Sequence, residues 1–517
     1  MPNEESYLDE SLRKIAKGAG VSFIGAFIGM ALGYLSRMII ARWLGASDYG
    51  LISLGYAALT IGATLSLVGL PAGIQRFVSF YKGKGDKGRI KGTILGALRI
   101  SFPLSIIFAI FFFFYADWIS IHVFHSHELI PVLRIFAIAI PFLVLADNII
   151  HATIGFQDVK YRVYVTDLFQ NIFKLVAIVA LLALGFGVIG AAWGWALAII
   201  LTPFLAFYFL EKKVFPILNT KVKAISIDKE LFSFSWPLIF TMVASMMMGW
   251  MDTLMLGYFL TASAVGIYNV ALPTARLLTA AAKSIGALFI PVASELYARN
   301  REQELSGIYK VVTKWTLSLA LPGFLLMALF SESIIRILFG AEYIGGATAL
   351  SILAFAFFLA SVLGPANYVL QTYGRTRIIM NGYFIGAGVN FILNLLLIPL
   401  YGINGAAIAT GFSFSLVSVI YLVSVWQIGK IQPFRMNHLK PAFASIISVL
   451  VAYGLAECIG PTLPVLIAML FVFFVLYFFL LLIFKSFEEE DLMIMRAIDE
   501  RLGTKSDWMR EIIRRFL

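Results

Sequence analysis

The chain has 517 residues, of which 60% are hydrophobic and only 13% charged, and its mean hydropathy is +0.90. Soluble domains carry about 25% charged residues, so a soluble fold is excluded. The net charge of +11 sits in the links between apolar runs and implies no nucleic-acid partner, and the single cysteine, Cys458, rules out an intramolecular disulfide.

The apolar runs reach the ~20 residues a bilayer-spanning helix needs and do not alternate as barrel strands would. Residues 1–17 form a polar N-terminus ending in Arg13, Lys14 and Lys17, with no cleavable signal expected. A first helix is expected at about 18–42, with Gly25, Gly29 and Gly33 every four residues, a stripe that lets a neighbouring backbone come close. A second is expected at about 48–80, followed by the basic link 82–91, a third at 92–116, a fourth at 129–154, a fifth at 163–184 and a sixth reaching 210. Residues 1–17, the N-lobe 18–210 and the polar link 211–230 thus precede a C-lobe, 231–427. Its helices are expected at 231–256, 262–292, 308–331, 344–372, 377–399 and 402–427. Two more, at 441–459 and 464–484, lie outside the lobes and serve either as an extra structural pair or as an apolar flank for a lipid tail. The tail 485–517 is charged, and Ser506 is placed to cap an amphipathic turn carrying Trp508, Ile512, Ile513 and Phe516. Lysine and arginine concentrate on one side, which predicts a multi-pass protein of the cell membrane with both termini cytoplasmic and about fourteen spans.

The chain repeats itself. Arg37 to Tyr81 is echoed by the stretch ending at Tyr297: with Gly50 set on Gly266, Leu44 meets Leu260, Ala46 meets Ala262, Ser47 meets Ser263 and Tyr81 meets Tyr297. Residues 187–192 (GVIGAA) likewise echo 402–407 (GINGAA). Two six-helix copies starting on the same side predict parallel pseudo-symmetric lobes.

No Walker A sequence or other enzyme motif is present, and the protein reads as a non-enzyme without cofactor. His122, His125 and His127, beside Glu128, lack the fixed spacing of a metal site, so no metal is expected. The informative residues are charges inside spans, which are costly and face a cavity or a partner. Asn269, Pro273, Arg276, Ala280 and Lys283 follow a 4-3-4-3 spacing that puts them on one helix face. Thr241, Ser245, Met248 and Asp252 form a second stripe; Asp167, Asn171 and Lys174 share a third face, where Asp167 and Lys174 either neutralise each other or open on a cavity. Arg37, and Asp147 with His151, complete the set. Arg76, Arg99 and Lys314 lie near span ends and are expected to snorkel, as is Arg134 on the other side. Arg37, Arg276, Lys283 and Asn269 are therefore the expected substrate-binding set of a cationic cavity suited to an anion, and Asp252, Asp147, Asp167 and Lys174 the expected cavity or ion-coupling set.

The segments ARWLGASDYGLISL (41–54), GLPAGIQRFVSFY (69–81) and DTLMLGYFLTASAVGIYNVA (252–271) resemble the polysaccharide-transporter family of lipid-linked oligosaccharide flippases. That family lies within the multidrug/oligosaccharidyl-lipid/polysaccharide exporter superfamily, and the resemblance runs the length of the chain. It implies an all-α polytopic fold of two six-helix lobes forming a V around a central cavity, plus two C-terminal helices. It also implies flipping of a polyprenyl phosphate- or diphosphate-linked glycan from the cytoplasmic to the outer leaflet by alternating access, with Arg37, Arg276 and Lys283 at the phosphate. Membrane lipid and glycan-assembly proteins are the further partners it implies; proton or sodium coupling is left open. A cation-coupled multidrug exporter of the same fold should carry an anionic cavity, whereas the deep charges here lean positive. A nontransporting scaffold leaves the deep cations unexplained, and a membrane glycosyltransferase needs a larger hydrophilic segment than any link here supplies.

Overall fold

A computed structural model describes residues 4–219, 222–459, 463–488, 491–492 and 511; the amphipathic turn expected from Ser506 to Phe516 lies outside the described residues. The described chain is helical, with no strand among its elements. Among the described residues, eleven segments are long and apolar enough to cross a membrane. One of them, Thr376–Gly429, reverses at Gly402 (φ 57°, ψ −131°) and supplies two spans. The broken helix 262–298 and the apolar helix Leu463–Ile483 complete the expected set. The protein is a multi-pass, all-α membrane protein.

The chain divides into two compact units, 1–269 and 270–517. The first holds α1 (Glu4–Leu44), α2 (Ala46–Leu67), α3 (Leu70–Gly83), α4 (Lys87–Phe114) and α5 (Leu129–Gly155). It continues with α6 (Asn171–Ala183), α7 (Gly187–Phe209), α8 (Asp228–Ser235), α9 (Leu238–Phe259) and most of α10 (Ala262–Arg276). Helix α5 is its centre and packs on α2, α3, α4 and α7. Buried Leu70, Ile74, Ile90, Ile94, Ile150 and Leu210 form the core at one end.

Residues 48–80 are not one helix. Val68 (φ 46°) and Gly69 (φ 75°) take left-handed conformations, and Pro71 then starts α3. Gly69 is required twice over, since a Cβ there would also lie 2.2 Å from the Ser235 carbonyl oxygen. A second glycine stripe, unforeseen in the basic link, lets the interlobe link lie on α4. Cβ atoms on Gly88, Gly92 and Gly96 would strike Ile225 and Asp228, and the Ile225 N–H donates to the Gly88 carbonyl at 3.0 Å.

The second unit holds α11 (Leu278–Ala298), α12 (Glu302–Leu329), α13 (Ala347–Leu363), α14 (Pro365–Thr372), α15 (Thr376–Gly429), α16 (Leu439–Ile459) and α17 (Leu463–Ile483). Helix α12 is central here, packing on α11, α13 and α16. Lys314 does not snorkel as expected. It is 5% exposed, and its ammonium meets Asp491 at 2.5 Å and Glu488 at 3.1 Å, while Trp315 Nε1 donates to the other Asp491 oxygen at 2.5 Å. The acidic residues after α17 thus fold back and fasten the last two helices to α12. Apolar packing of Ala444, Val449, Phe473 and Tyr477 against Leu325 and Leu326 continues the same seam. Arg134 pairs with Asp117 at 2.8 Å, Arg99 with Asp228 at 3.6 Å, and Arg76 lies 4.2 Å from the Phe234 ring centre.

The internal repeat has a structural imprint. Gly187 and Gly402, paired by the second sequence match, both adopt left-handed φ (55° and 57°) where a helix begins. The first match is imprinted as a reciprocal contact. A Cβ on Gly50 would lie 1.8 Å from the Ala262 carbonyl oxygen, and one on Gly266 would lie 1.9 Å from the Ala46 carbonyl oxygen.

Candidate functional site

The site is built by the first glycine stripe. Gly25 faces Val163, Gly29 faces the Asp167 backbone, and Gly33 faces Asn171, so both chains advance by four residues together. Helix α1 and the helix beginning at residue 160 are therefore parallel and in register, too close to admit even a methyl group at Gly25. One further turn along α1 lies Arg37; one turn past Gly33's contact lies Lys174, and each presents its cation to the same ring, Trp195 of α7.

The approach also needs a widened stretch, Val163–Gln170, wound as a π-helix. Asn171 patches its displaced carbonyls, donating through Nδ2 to Thr166 O (3.0 Å) and Asp167 O (3.1 Å). The Asn171 Oδ1 accepts from Lys174 Nζ at 2.8 Å. Lys174 is 8% exposed, and its Nζ lies 5.0 Å from the Trp195 ring centre. The Arg37 guanidinium carbon lies 5.7 Å from that ring. Asp167 and Lys174 both line the face turned to α1 but do not pair, and among the described residues no carboxylate stands within salt-bridge distance of Lys174 or Arg37.

Behind the cations stands an aromatic wall that residue spacing did not reveal. Tyr56 packs on Trp195 with centroids 4.6 Å apart, and Trp250 meets Tyr56 edge-on at 5.6 Å. The signals that could have found them are Trp195 inside a Gly-Ala run and Tyr56 beside Gly55, both bulky residues in otherwise small-residue stretches. Two cations over a ring face can neutralise an anion, and flat aromatic faces can hold a sugar ring by its C–H side.

The other expected residues lie elsewhere. Asn269 is 2% exposed; its Nδ2 donates to Thr253 Oγ1 (3.1 Å) and to the Val265 carbonyl (2.9 Å), so its amide is engaged inside the protein. Asp252 is 2% exposed and accepts a 2.6 Å hydrogen bond from the Tyr268 hydroxyl. Asp147 sits half-buried 3.6 Å from His151 Nδ1. In the second unit, the helix expected over 262–292 breaks at Leu277, where the Leu277 N–H turns back to Thr274 O and Ala280 N–H to Leu277 O. Leu277 itself keeps helical φ and ψ (−57°, −30°), so the break is a local tightening of the winding between Arg276 and Lys283. Arg276 lies 5.9 Å from the Phe357 ring, and Lys283 is exposed. No cluster of metal-ligating side chains occurs among the described residues.

Comparison with known proteins follows the same lines. The chain is 28% identical over 445 residues to an uncharacterized membrane protein of Methanocaldococcus jannaschii, covering 81% of this chain and 84% of that one. It is 23% identical to stage V sporulation protein B of Bacillus subtilis, covering 92% and 96%. It is 28% identical to the probable low-salt glycan biosynthesis flippase Agl15 of Haloferax volcanii over 37% of this chain and 41% of that one. Among solved structures it resembles lipid II flippase MurJ in an inward closed conformation (TM-score 0.73, 18% identity, 91% and 99% coverage). It also resembles an inward-facing multidrug resistance MATE family transporter (TM-score 0.68, 15% identity, 78% and 94%). Residues 237–396 match the MatE family model. The model described as polysaccharide biosynthesis protein matches residues 15–297, more than half of the chain, and the chain belongs to that family.

Proposed function

We propose that the protein flips a polyprenyl phosphate- or diphosphate-linked oligosaccharide or polysaccharide unit across the cell membrane, from the cytoplasmic to the outer leaflet, by alternating access. The observation that carries this reading is the Arg37–Lys174 pair on Trp195: two cations beside an aromatic wall, with no carboxylate of the described residues within salt-bridge distance. A buried lysine without a counter-ion is costly, and an entering phosphate is the partner that offsets the cost. Half-buried Tyr56 and Trp250, backed by buried Trp195, supply the surface for the glycan. Arg276 and Lys283 are the second cationic set and engage the same phosphate at another stage of the cycle. Membership of a polysaccharide family and likeness to relatives named as glycan or lipid II flippases support the reading. The basic links favour a cytoplasmic location for both termini. Return of the emptied carrier draws on a proton or sodium gradient, with Asp147 and Asp167 the better candidates, because Asp252 already binds Tyr268.

The MatE match motivates a second reading, a multidrug exporter. Cationic drugs would be repelled by Arg37 and Lys174, and the two readings part in one assay. Purified protein in vesicles should translocate a fluorescent lipid-linked glycan, and Arg37→Ala with Lys174→Ala should reduce the rate by at least about tenfold, the loss of one charge-assisted contact. Undiminished glycan translocation by the double variant, or export of a cationic dye instead, would overturn the proposal.

A further inference from the structure

We propose that the pocket at the start of α15, lined by Arg375, Thr376, Arg377, Ile378 and Ile428, binds the phosphate head of an anionic phospholipid of the surrounding bilayer. The pocket measures about 620 Å³ and is lined by both arginines and both isoleucines, with Gly374 and Thr376. Arg375, just before α15, and Arg377, in its first turn, flank Thr376, and no side chain caps that helix start. Among the described residues neither arginine forms an ion pair, and no carboxylate lines the pocket. An uncapped helix start adds its backbone N–H groups and positive dipole end to the two guanidiniums.

The pocket is preformed. Gly374 holds φ at 68°, and the Tyr373 ring presses on Gly429, where a Cβ would lie 2.3 Å from the Tyr373 hydroxyl. The Tyr421 hydroxyl donates to the Ile379 carbonyl at 2.8 Å, clamping the two arms of α15 together beneath it. The rim has the character of a membrane–water boundary. Trp426 is 54% exposed, and Lys430 Nζ stands 4.7 Å from its ring centre. Tryptophan with lysine at a span end marks the headgroup level, where basic pockets between spans take phosphate heads while the tails stay in lipid. Free phosphate or glycerol phosphate shares this chemistry, but Ile378 and Ile428 add a wall that only a lipid would use.

This assignment needs the chain only to span a membrane; it does not depend on what is transported. The test is native mass spectrometry of the full chain released from equal amounts of phosphatidylglycerol and phosphatidylcholine. The wild type should retain phosphatidylglycerol preferentially. Arg375→Gln with Arg377→Gln should cut that preference by roughly tenfold or more, at the scale of one basic contact each. Arg375→Lys with Arg377→Lys should keep part of it. For the wild type alone, phosphatidylglycerol should raise the unfolding midpoint above that in phosphatidylcholine, and added glycerol phosphate should not. Equal retention of the two lipids by the wild type, or an unchanged preference in the glutamine variant, overturns the proposal. A glycerol phosphate shift matching that of phosphatidylglycerol overturns the lipid and leaves a free-phosphate site.

Discussion

Lys174 is the residue whose chemistry is hardest to reconcile with stability alone. It is buried against Trp195 with one neutral acceptor, the Asn171 Oδ1, and shares its surroundings with Arg37. A methionine of similar length should pack as well without an ammonium to desolvate. Lys174→Met is therefore expected to raise thermal stability, on the order of 1 kcal/mol, while abolishing flipping; a melting curve and a translocation assay on one preparation check both. Sequence spacing pointed to Arg37 and Lys174 as charges within spans but not to their meeting, because spacing along one helix says nothing about which other helix it packs against. The π-helical stretch 163–170 is a tertiary adjustment without a sequence signature. The burial of Lys314 is invisible in sequence for a related reason: its partners Glu488 and Asp491 lie more than 170 positions away.

At the scale of the element, the close-packed glycines decide where charges go. Gly29 brings α1 against the Asp167 backbone, where a Cβ would lie 3.0 Å from three backbone and side-chain atoms. Gly29→Ala should push the helices apart, cost about 1–3 kcal/mol, and weaken flipping even though no charged group is altered. Unfolding midpoint and translocation rate measure the two effects, and an intact rate would show that Arg37 and Lys174 need no such approach. The stripe itself was legible, since glycines every four residues in an apolar run imply a close neighbour. Which neighbour was not, because the contact joins positions 138 apart along the chain, as Gly25 and Val163 show. The breaks at Val68–Gly69 and Leu277 divide legibly and illegibly too: Gly69 and Pro71 announce the first, while nothing but Pro273 hints at the second.

At the scale of the whole molecule, the clasp on α12 ties the last two spans to the rest of the second unit. Burial raises the Glu488 carboxyl, but the Asn437 amide and the Lys314 ammonium outweigh it and hold the group below its ordinary value. A depressed carboxylate adds stability above its unfolded pKa of about 4.3, and that stability is lost as pH falls through the lower folded value. Wild-type protein should therefore lose thermal stability on acidification below about pH 4, and Glu488→Gln should start lower and respond less; melting curves across that range test it. The overall fold was legible because span length, loop charge and repeat are all written in composition. The clasp was not, since a run of acidic residues after the last span reads as a solvated tail. The reciprocal contact of Gly50 with Ala262 and Gly266 with Ala46 has a meaning beyond packing. Residue i touching j′ while j touches i′ is the geometry of a two-fold homodimer interface. The contact is thus what an ancestral pair of identical chains would leave after fusion. It also couples the fates of the two copies: neither glycine can acquire a side chain unless the other copy's backbone yields. These positions should consequently have stayed glycine through divergence that erased most other identities between the copies.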